Sequence, residues 1–555
     1  MGNPRLFLYG VFFLLVFMLW QQWQIENTIP ADSTRTEQPE TPKQNNENTG
    51  QNSDIPEAAK STAGLATLSP GNKKPAALVS ATTDVLALTI DTKGGDVVAS
   101  KLLAYPETTD VDSRPVQLFQ NEEHLYIAQS GLLHDKVGEQ SKAAEAPNHN
   151  NIYAYKKKNY ALSSGENTIK VPLFWKSPTG VVVKKTYILK RGSFLVEVVY
   201  EVKNNSKNKW VGRQYRQLKR GGVRDEEKSY FLITYTGAAY FDDTYTKLAF
   251  EDMEKSSLSK NIEGGWAAVL QHHFVSAWVT ANNEETNLYY TKAVGDDLGG
   301  KKYIIGLRSP AQEILPGETK IFRSFLYTGP KEQEKLAQIS PGLDLTVDYG
   351  IFTFIAQPLF WLLSNIYSAV NNWGWSIIFV TILIKLLFYK LSETSYRSMA
   401  KMRKFTPRMQ VLRERYGDDK QKLNKAMMEM YKKEKINPLG GCWPILVQIP
   451  VFISLYWVLL ESVELRQAPF MLWLNDLSSK DPYFVLPLLM GITMFIQQKL
   501  NPTPPDPIQA KVMSVLPIVF TIFFAFFPSG LVLYWFVNNL LSIAQQWVII
   551  KRLDA

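Results

Sequence analysis

The apolar run at residues 376–389 contains a single charged side chain, Lys385. At ~1.5 Å per residue, a helix over residues 371–390 is just long enough to cross a hydrocarbon core of ~30 Å. We therefore predict a transmembrane helix at residues 371–390, with Lys385 inside the boundary, where a cation is expensive. Two interpretations stay open: Lys385 belongs to a functional site, or its long stem carries the ammonium to the nearby interface.

Positive charge is concentrated directly after this run. The chain of 555 residues has 61 Lys and Arg against 52 Asp and Glu, a net charge of +9, and fourteen of the basic residues but only six of the acidic ones lie at residues 390–440. Such an excess is typical of a cytoplasmic loop. Residues 391–441 are predicted to form a cytoplasmic helical hairpin, with helices at 392–416 and 420–435. The alternative is a solvated charged loop that only enforces orientation.

The N-terminal part has two segments of very different composition. Residues 6–20 are apolar and follow Arg5, with no small-residue cleavage site near the end of the run, which favours an uncleaved signal anchor at residues 1–24 over a cleaved signal peptide. Residues 25–81 are rich in Asn, Gln, Thr, Glu, Pro and Ser, and we predict a flexible linker there. The positive-inside rule then places the N-terminus in the cytoplasm and the following domain outside.

Residues 82–330 contain short β-branched runs bounded by turn residues, as at 85–90, 181–189 and 194–202. This spacing predicts an antiparallel β-sandwich. His272 and His273 are adjacent, and neighbouring residues of a regular strand point to opposite faces, so the pair does not favour a metal site. His124, His134 and His149 lie in segments without recognisable catalytic partners, and the single cysteine, Cys442, excludes an internal disulfide. We predict no catalytic residues, metal or cofactor.

Residues 331–370 are predicted to form a connector and a helix that lies in the outer interface, because a second span before residue 390 would break the alternation of sides. Four further spans are predicted at residues 443–460, 483–497, 513–527 and 531–550, within a segment of 442–552. The loop at residues 461–482 is mainly acidic, whereas Lys551 and Arg552 follow the last span. Both termini are therefore predicted to be cytoplasmic.

Several polar side chains lie within these apolar runs, where unsatisfied amides are costly. The residues are Gln448, Thr493, Gln497, Asn538, Asn539, Gln545 and Gln546. They are interpreted either as interhelical contacts or as the lining of one wet, positively charged cavity with Lys385 and Thr381, which share a helix face.

Four segments resemble the YidC family of membrane protein insertases. They are NPLGGC at 437–442, QIP at 448–450, LRQAPF at 465–470 and FPSGLVLY at 527–534. The resemblance covers residues 343–552, and the N-terminal anchor and β domain also fit the Gram-negative members.

The resemblance implies a bacterial inner-membrane insertase with six spans, five of which form a core, and a periplasmic β-supersandwich. It implies a hydrophilic groove that is open to the cytoplasm and the lipid, in which Lys385, Thr381, Gln448, Tyr534 and Trp535 would contact substrates together with Asn538. The implied partners are nascent membrane proteins, the Sec translocon, the ribosome and membrane lipids. No nucleotide is expected, because no P-loop motif occurs.

Two positions depart from the family pattern. Lys385 stands where the family usually has arginine, and a lysine lacks the bidentate guanidinium and loses its proton more readily when buried. Lys390 stands where proline is frequent.

Two other classes of function remain as alternatives. A proton-coupled transporter would need carboxylates or histidines within the spans, and the five predicted core spans contain none. A membrane-tethered carbohydrate enzyme is suggested by the likeness of the sandwich to sugar mutarotases, but no acid–base pair is recognisable.

Overall fold

The computed structural model describes residues 54–56, 76–121, 124–135, 146–222, 234–295, 300–417, 419–433, 443–501 and 507–554. The predicted anchor at residues 1–24 and most of the predicted linker at 25–81 lie outside them. The chain divides into two compact units, one ending at Val347 and the other beginning at Asp348. We call the units the β domain and the helical domain and describe each by itself.

The β domain is a sandwich of an 11-stranded and a 9-stranded sheet. Its strands are β1 Leu78–Thr82, β2 Leu86–Asp91, β3 Asp96–Pro106, β4 Pro115–Gln117, β5 Tyr126–His134, β6 Ala154–Tyr155, β7 Asn159–Ala161, β8 Thr168–Lys176, β9 Val181–Lys190, β10 Leu195–Asn204, β11 Trp210–Gly221, β12 Gly237–Asp242, β13 Thr244–Leu248, β14 Ser259–Glu263, β15 Trp266–Leu270, β16 Phe274–Thr280, β17 Thr286–Gly295, β18 Lys301–Arg308, β19 Gln312–Ile314 and β20 Thr319–Pro330.

The strand order of the larger sheet is β14-β17-β18-β11-β5-β3-β2-β1-β7, and that of the smaller is β13-β12-β15-β16-β20-β10-β9-β8-β6. In the larger sheet β19 also pairs with β11, and β4 with β3. The described pairs are antiparallel except β1 with β7. The predicted β-sandwich is thereby confirmed.

Period-2 burial explains why these segments are strands. In β2 the buried positions alternate with half-buried ones, so one face is apolar and packs on the core. Polar side chains also link the two sheets: Ser100 and Thr328 hydroxyls lie 3.0 Å apart, and Gln214 Nε2 donates to Ser324 Oγ at 3.0 Å. Buried polar groups need such partners because an unpaired one costs free energy.

Two features of the β domain differ from the sequence expectations. Its first strand begins at Leu78, four residues before the predicted start at 82, because β1 adds to the edge of β2. His272 and His273 lie between β15 and β16 and not within a strand, and their rings stack at 3.8 Å. The strand premise used for this pair is therefore wrong. Among the described residues, no three His, Cys, Asp or Glu side chains cluster as metal ligands would.

Ten α-helices are described. In the β domain they are α1 Phe250–Lys255 and α2 Gln333–Ile339; in the helical domain they are α3 Thr353–Val370, α4 Trp373–Leu387, α5 Tyr389–Tyr416, α6 Lys420–Lys433, α7 Trp443–Glu461, α8 Val485–Leu500, α9 Pro507–Phe524 and α10 Ser529–Asp554.

The turn between α3 and α4 is made by two asparagines. Asn371 ends α3 with φ 56°, a left-handed conformation that asparagine tolerates better than most residues. Asn372 begins α4 and accepts a hydrogen bond from the Trp375 amide at 3.1 Å, as an N-cap does. The Tyr367 and Trp373 rings stack at 4.0 Å across this turn and hold the two helices together.

The predicted helix over residues 371–390 is not continuous in the structure. α4 ends at Leu387, and α5 begins at Tyr389 with its axis bent by 67°. α4 has 15 residues, which correspond to about 22 Å at 1.5 Å per residue, so it is shorter than a ~30 Å hydrocarbon core. The expectation of one continuous helix over 371–390 is wrong, and the bend turns the chain away immediately after Lys385.

Length and composition alone select few spans in the described residues. One helix, Gly350–Val370, is long and apolar enough to cross a membrane, and Trp373–Leu387 with Tyr389–Arg403 would be a second if the bent pair were counted as one. Val447–Glu461, Val485–Leu500 and Ala510–Phe524 are apolar but shorter.

The basic segment forms two helices, α5 and α6, that pack against each other through apolar side chains. Met409, Met427 and Tyr431 are buried between them, and the Tyr431 hydroxyl donates to Met409 Sδ at 3.2 Å. Met402, Phe405, Leu423 and Met430 pack around this cluster. A loop that served only to carry charge would not need such a core.

Candidate functional site: a polar cleft around Lys385

Lys385 lies on the last turn of α4 and points into the helical domain. Its Nζ donates a hydrogen bond to Ser542 Oγ in α10 at 2.7 Å. Within the described part of the chain, no carboxylate forms an ion pair with it, whereas Lys390 on α5 is exposed and lies 3.7 Å from Glu393. The amino group of Lys385 is therefore held by a neutral hydroxyl and has no described counter-charge.

Lys385 lines a small cleft between α4, α5 and α7. The lining side chains are those of Ile384, Lys385, Phe388, Leu391, Ser392 and Gln448. The bend between α4 and α5 shapes one wall, since Phe388 lies at the bend and Leu391 and Ser392 follow it on the first turn of α5.

Hydrogen bonds link two polar residues of the cleft, Lys385 and Gln448, to two polar residues of α10. Gln448 Nε2 donates to Asn538 Oδ1 at 2.6 Å, and Ser542 Oγ donates to the Asn538 carbonyl at 2.7 Å. Lys385, Ser542, Asn538 and Gln448 thus form one connected polar group on three helices. Serine 542 was not predicted, although it lies four residues after Asn538 and so shares its helix face; that spacing was the available signal.

Thr381 has a different environment from Lys385, although the two are one turn apart. Its side chain is buried, and its hydroxyl donates to the Ile377 carbonyl of its own helix at 2.6 Å. It does not line the described cleft. A hydroxyl already satisfied by its own helix backbone is less available for substrate.

Tyr534 and Trp535 form an aromatic wall beyond the cleft. The Tyr534 ring stacks on Phe452 of α7 at 6.1 Å, and Trp535 meets the same ring edge-on at 4.5 Å. Trp535 also lies 5.0 Å from Phe524 of α9. Tyr534 is buried and Trp535 half-buried. The pair therefore joins α7, α9 and α10 and leaves part of the indole accessible.

The remaining amides of the apolar helices do not line the Lys385 cleft. Gln497 Nε2 donates to Gln546 Oε1 at 2.6 Å, and Asn539 Nδ2 donates to Thr493 Oγ1 at 3.3 Å. These bonds connect α8 to α10, and Asn539 and Gln546 are buried. Gln545 reaches the Tyr389 carbonyl at 3.5 Å. Of the two interpretations left open by the sequence, these hydrogen bonds favour interhelical contacts over a shared cavity for Asn539, Gln546, Thr493 and Gln497.

Hydrogen bonds connect the loops at one end of the helices. This end lies opposite the α5–α6 hairpin. The Asp481 carboxylate accepts from Trp473 Nε1 at 3.0 Å and from the Leu486 amide at 2.7 Å. Ser529 donates through its hydroxyl to the Asp476 carbonyl at 2.9 Å, and the Gly530 amide donates to the Leu477 carbonyl at 2.9 Å. This end of the helical domain is cross-linked between the loop at 461–482 and the start of α10.

Comparison with known proteins decides the family. The model of the YidC periplasmic domain matches residues 78–362, and that of the 60 kDa inner membrane protein matches residues 365–555. A protein of Thioalkalivibrio sulfidiphilus named membrane protein insertase YidC is 51% identical over 100% of this chain and 99% of its own length. The chain belongs to the YidC family of membrane protein insertases. A relative of the same name in Methylococcus capsulatus is 48% identical over 100% of this chain and 99% of that protein.

Family membership confirms the resemblance seen in the four sequence motifs. YidC proteins are inner-membrane proteins with a periplasmic domain, so the β domain of this chain is periplasmic. The family is one of insertases and not of enzymes. A solved YidC insertase structure aligns with 85% of this chain and 93% of its own at 16% identity and a TM-score of 0.37, so the family assignment rests on the sequence matches.

Proposed function

We propose that this protein inserts membrane-protein segments from the cytoplasmic side through the polar cleft around Lys385. The observation that supports this mechanism most directly is the Lys385 ammonium, which has a serine hydroxyl as its partner and, among the residues that the structure describes, no ion-pairing carboxylate. A translocated tail is polar, and crossing the hydrocarbon is its barrier. A cleft with hydrogen-bonding side chains and one cation lowers that barrier partway across.

The strength of the attraction suits a transient contact. Two unit charges ~4 Å apart attract by roughly 4 kcal/mol at an effective dielectric near 20 and by about 1 kcal/mol in bulk water. An acidic residue of a client tail would therefore be held for a short time beside Lys385 and then released. Burial of the client's apolar helix in lipid, worth about 25 cal/mol per Å² of apolar area, drives the net reaction.

The proposed topology has six spans, with both termini in the cytoplasm and the α5–α6 hairpin on the same side. The spans are the segment at residues 1–24, α4, α7, α8, α9 and α10, and α3 lies in the outer interface. The charge asymmetry of the loops supports this order. The hydrogen-bonded loops around Asp476 and Asp481 would close the periplasmic end, and the cleft would open toward the cytoplasm and the lipid.

The proposed partners follow from the same arrangement. The α5–α6 hairpin, with its basic surface and apolar core, would receive nascent membrane proteins and the ribosome, which is itself strongly anionic. The insertase would act alone or beside the Sec translocon, with lipids completing the open side of the cleft. The periplasmic sandwich is proposed to be of the supersandwich type.

The test uses insertion of two clients that differ only in the aspartates of their translocated tails. Lys385→Arg should insert both, because the charge remains. Lys385→Ala should reduce insertion of the acidic-tail client about tenfold, since a loss of ~1.4 kcal/mol lies between the two dielectric limits. Lys385→Glu should be worse because like charges repel.

The matched control is Lys390→Ala, which removes a positive charge five residues away, outside the cleft. It should insert both clients normally. If the Lys385→Ala protein inserts acidic and neutral tails equally well, the proposal is wrong. The Lys385 ammonium of the wild-type protein then reaches the interface and does not act on the client.

A further inference from the structure

A second polar cluster lies in the β domain and holds an aspartate from far away in the sequence. The Asp54 carboxylate lies 3.0 Å from His149 Nε2 through Oδ1 and 2.6 Å from Lys219 Nζ through Oδ2. Gln217 Nε2 donates to the Asp54 carbonyl at 3.1 Å. Both carboxylate oxygens and the backbone of one residue are therefore bound by three different side chains.

The binding side chains are held in place by the fold. Tyr215, Gln217 and Lys219 occupy alternate positions of β11 and so share one side of the strand. The buried Tyr215 hydroxyl lies 2.6 Å from His149 Nδ1 and also accepts from the His149 amide at 2.9 Å. This contact orients the imidazole so that Nε2 faces Asp54. No partner of His149 was recognisable in the surrounding sequence, because its partners are 66 and 95 residues away.

A second anchor fixes Gln217. Its Nε2 also donates to Gln129 Oε1 at 2.9 Å, and its Oε1 accepts from the Tyr290 hydroxyl at 2.7 Å. The Gln217 side chain therefore has one defined orientation, with its amide directed at the incoming backbone carbonyl. The orientation of Gln217 is thus set by Gln129 and Tyr290 as well as by Asp54.

The site favours an ionised carboxylate. Burial alone would raise the pKa of Asp54, but the hydrogen bonds and charges of His149 and Lys219 together hold that pKa below its ordinary value. Asp54 is about a quarter exposed, and Ile55 and Pro56 are half-buried. The interaction is thus carried mainly by the acid and the backbone, because no large apolar side chain of residues 54–56 is fully buried.

We propose that His149, Gln217 and Lys219 form a peptide-binding site on the periplasmic domain that recognises an aspartate through its carboxylate and its backbone carbonyl. Asp54 of the same chain fills the site in cis and thereby docks residues 54–56 on the domain. An acidic peptide of similar sequence binds in trans when Asp54 is removed. The proposal is independent of the Lys385 cleft, which lies in the other unit.

The cis contact is tested in the full-length protein in detergent, in a Cys442→Ser background so that a new cysteine is the sole thiol. The thiol of Ile55→Cys should react slowly with a maleimide. Adding Asp54→Asn or Lys219→Met should speed the reaction about tenfold, the effect expected from losing a charge-assisted hydrogen bond. Lys219→Arg should restore protection, which separates loss of charge from misfolding.

Lys209→Met is the matched control, because Lys209 is a lysine of the same domain that pairs at 3.2 Å with Glu313 on the surface. It should leave the rate unchanged. Equal rates in all variants would overturn the docking of Asp54.

The trans contact is tested with a labelled, end-blocked peptide of residues 52–57 in which Glu57→Gln leaves aspartate as its single carboxylate. By fluorescence anisotropy, this peptide should bind the Asp54→Asn protein at least about tenfold more tightly than it binds the wild-type protein, since the wild-type site is already filled at a high effective concentration. The matching peptide with asparagine should bind weakly to both. If the Asp54→Asn protein binds the two peptides equally, or binds neither, carboxylate recognition by this site is wrong.

Discussion

Lys385 and Lys185 are both removed from bulk water, but their surroundings give them different roles. Lys185 is fully buried in the β domain, where its Nζ donates to the carbonyls of Gly94, Gly95 and Ser130 at 3.0, 2.8 and 3.1 Å. All three hydrogens of its ammonium therefore have protein acceptors. Lys385 has one described acceptor, Ser542, and faces a cleft. A cation whose donors are all bound by the fold has none left for a ligand, whereas a partly satisfied one remains available.

The role of Ser542 is separable from that of Lys385. Ser542→Ala removes the acceptor but leaves the positive charge, and we expect acidic-tail clients to insert at no less than about a fifth of the wild-type rate, because the loss of one neutral acceptor is worth about 1 kcal/mol or less when water replaces it. Insertion assays beside Lys385→Ala measure this. Equal defects in the two variants would mean that the hydrogen bond, and not the charge, matters.

Lys185 should make the β domain more stable as the pH rises above neutral. Burial lowers the pKa of Lys185 to about 7, although Asp96 nearby opposes the shift. Between that pH and the ordinary lysine pKa, the unfolded chain binds more protons than the folded one, so the free energy of unfolding rises with pH. Urea titrations of the full-length protein from pH 7 to 10 should show this rise.

Lys185→Met is the comparison for that titration. Without the Lys185 ammonium, the pKa of Asp96 would rise further above the value of about 6 that burial already gives it. The free energy of unfolding of the variant should therefore stay constant or fall from pH 7 to 10. An unchanged rise in Lys185→Met would assign the pH dependence to other groups.

At the scale of elements, the bend between α4 and α5 decides how the cleft is built. α4 ends one residue before the bend, and its beginning is fixed against the loop that follows α7, where Asn372 Nδ2 donates to the Phe470 carbonyl at 3.0 Å. Because α4 is short, is fixed at its start and is followed by a bend, Lys385 has a defined position in the helical domain. The apolar run in the sequence predicted a helix but did not indicate the bend.

Gly374 is required where α4 meets Phe470. A Cβ at position 374 would lie 2.0 Å from the Phe470 ring, so Gly374→Ala should destabilise the helical domain by roughly 1–3 kcal/mol, as overpacking of a core does. Thermal unfolding in detergent should show the loss, and Phe470→Ala should partly reverse it in the double variant. Gly295→Ala, which meets nothing within 4 Å, is the control. A normal melting temperature for Gly374→Ala would show that Phe470 moves aside freely.

The α5–α6 hairpin should be needed for insertion and not for orientation alone. Replacing residues 409–430 with a short Gly/Ser linker that contains three lysines keeps the positive-inside signal but removes Met409 and Met427, two of the three buried members of the cluster that Tyr431 completes. We expect client insertion to fall while the topology, measured by cysteine labelling, stays the same. Normal insertion by this variant would leave the hairpin with an orienting role only.

At the scale of the whole molecule, the topology depends on the side of the membrane on which each helix end lies. α3 has the length and composition of a span, whereas the alternation of sides argues that it lies in the interface. Its surface is partly apolar, with Phe354 71% and Trp361 66% exposed, as either a lipid-facing span or an interfacial helix requires.

Cysteine labelling answers this question. In a Cys442→Ser background, a membrane-impermeant reagent should reach Ser364→Cys from the periplasm and Gln421→Cys from the cytoplasm. Labelling of both from the cytoplasm would contradict the interfacial position of α3. Labelling in spheroplasts and in inverted vesicles provides the control for sidedness.

The sequence by itself determined the family, the order of domains, the β-sandwich and the hairpin, because each depends on local patterns: period-2 alternation, apolar runs, capping residues and short motifs. It also singled out Lys385, since a charge inside an apolar run is visible without a fold. The positions of polar residues within helices were equally visible, but their partners were not.

Tertiary structure alone decided which polar side chains meet. It placed Ser542 on Lys385 across 157 residues, separated the Asn539 and Gln546 contacts from the cleft, and brought Asp54 to His149 across 95 residues. Such contacts depend on how strands and helices pack, and one side chain's direction changes with a single bend or a one-residue shift of register. Periodicity reports which face of an element is buried, whereas only packing determines what that face touches.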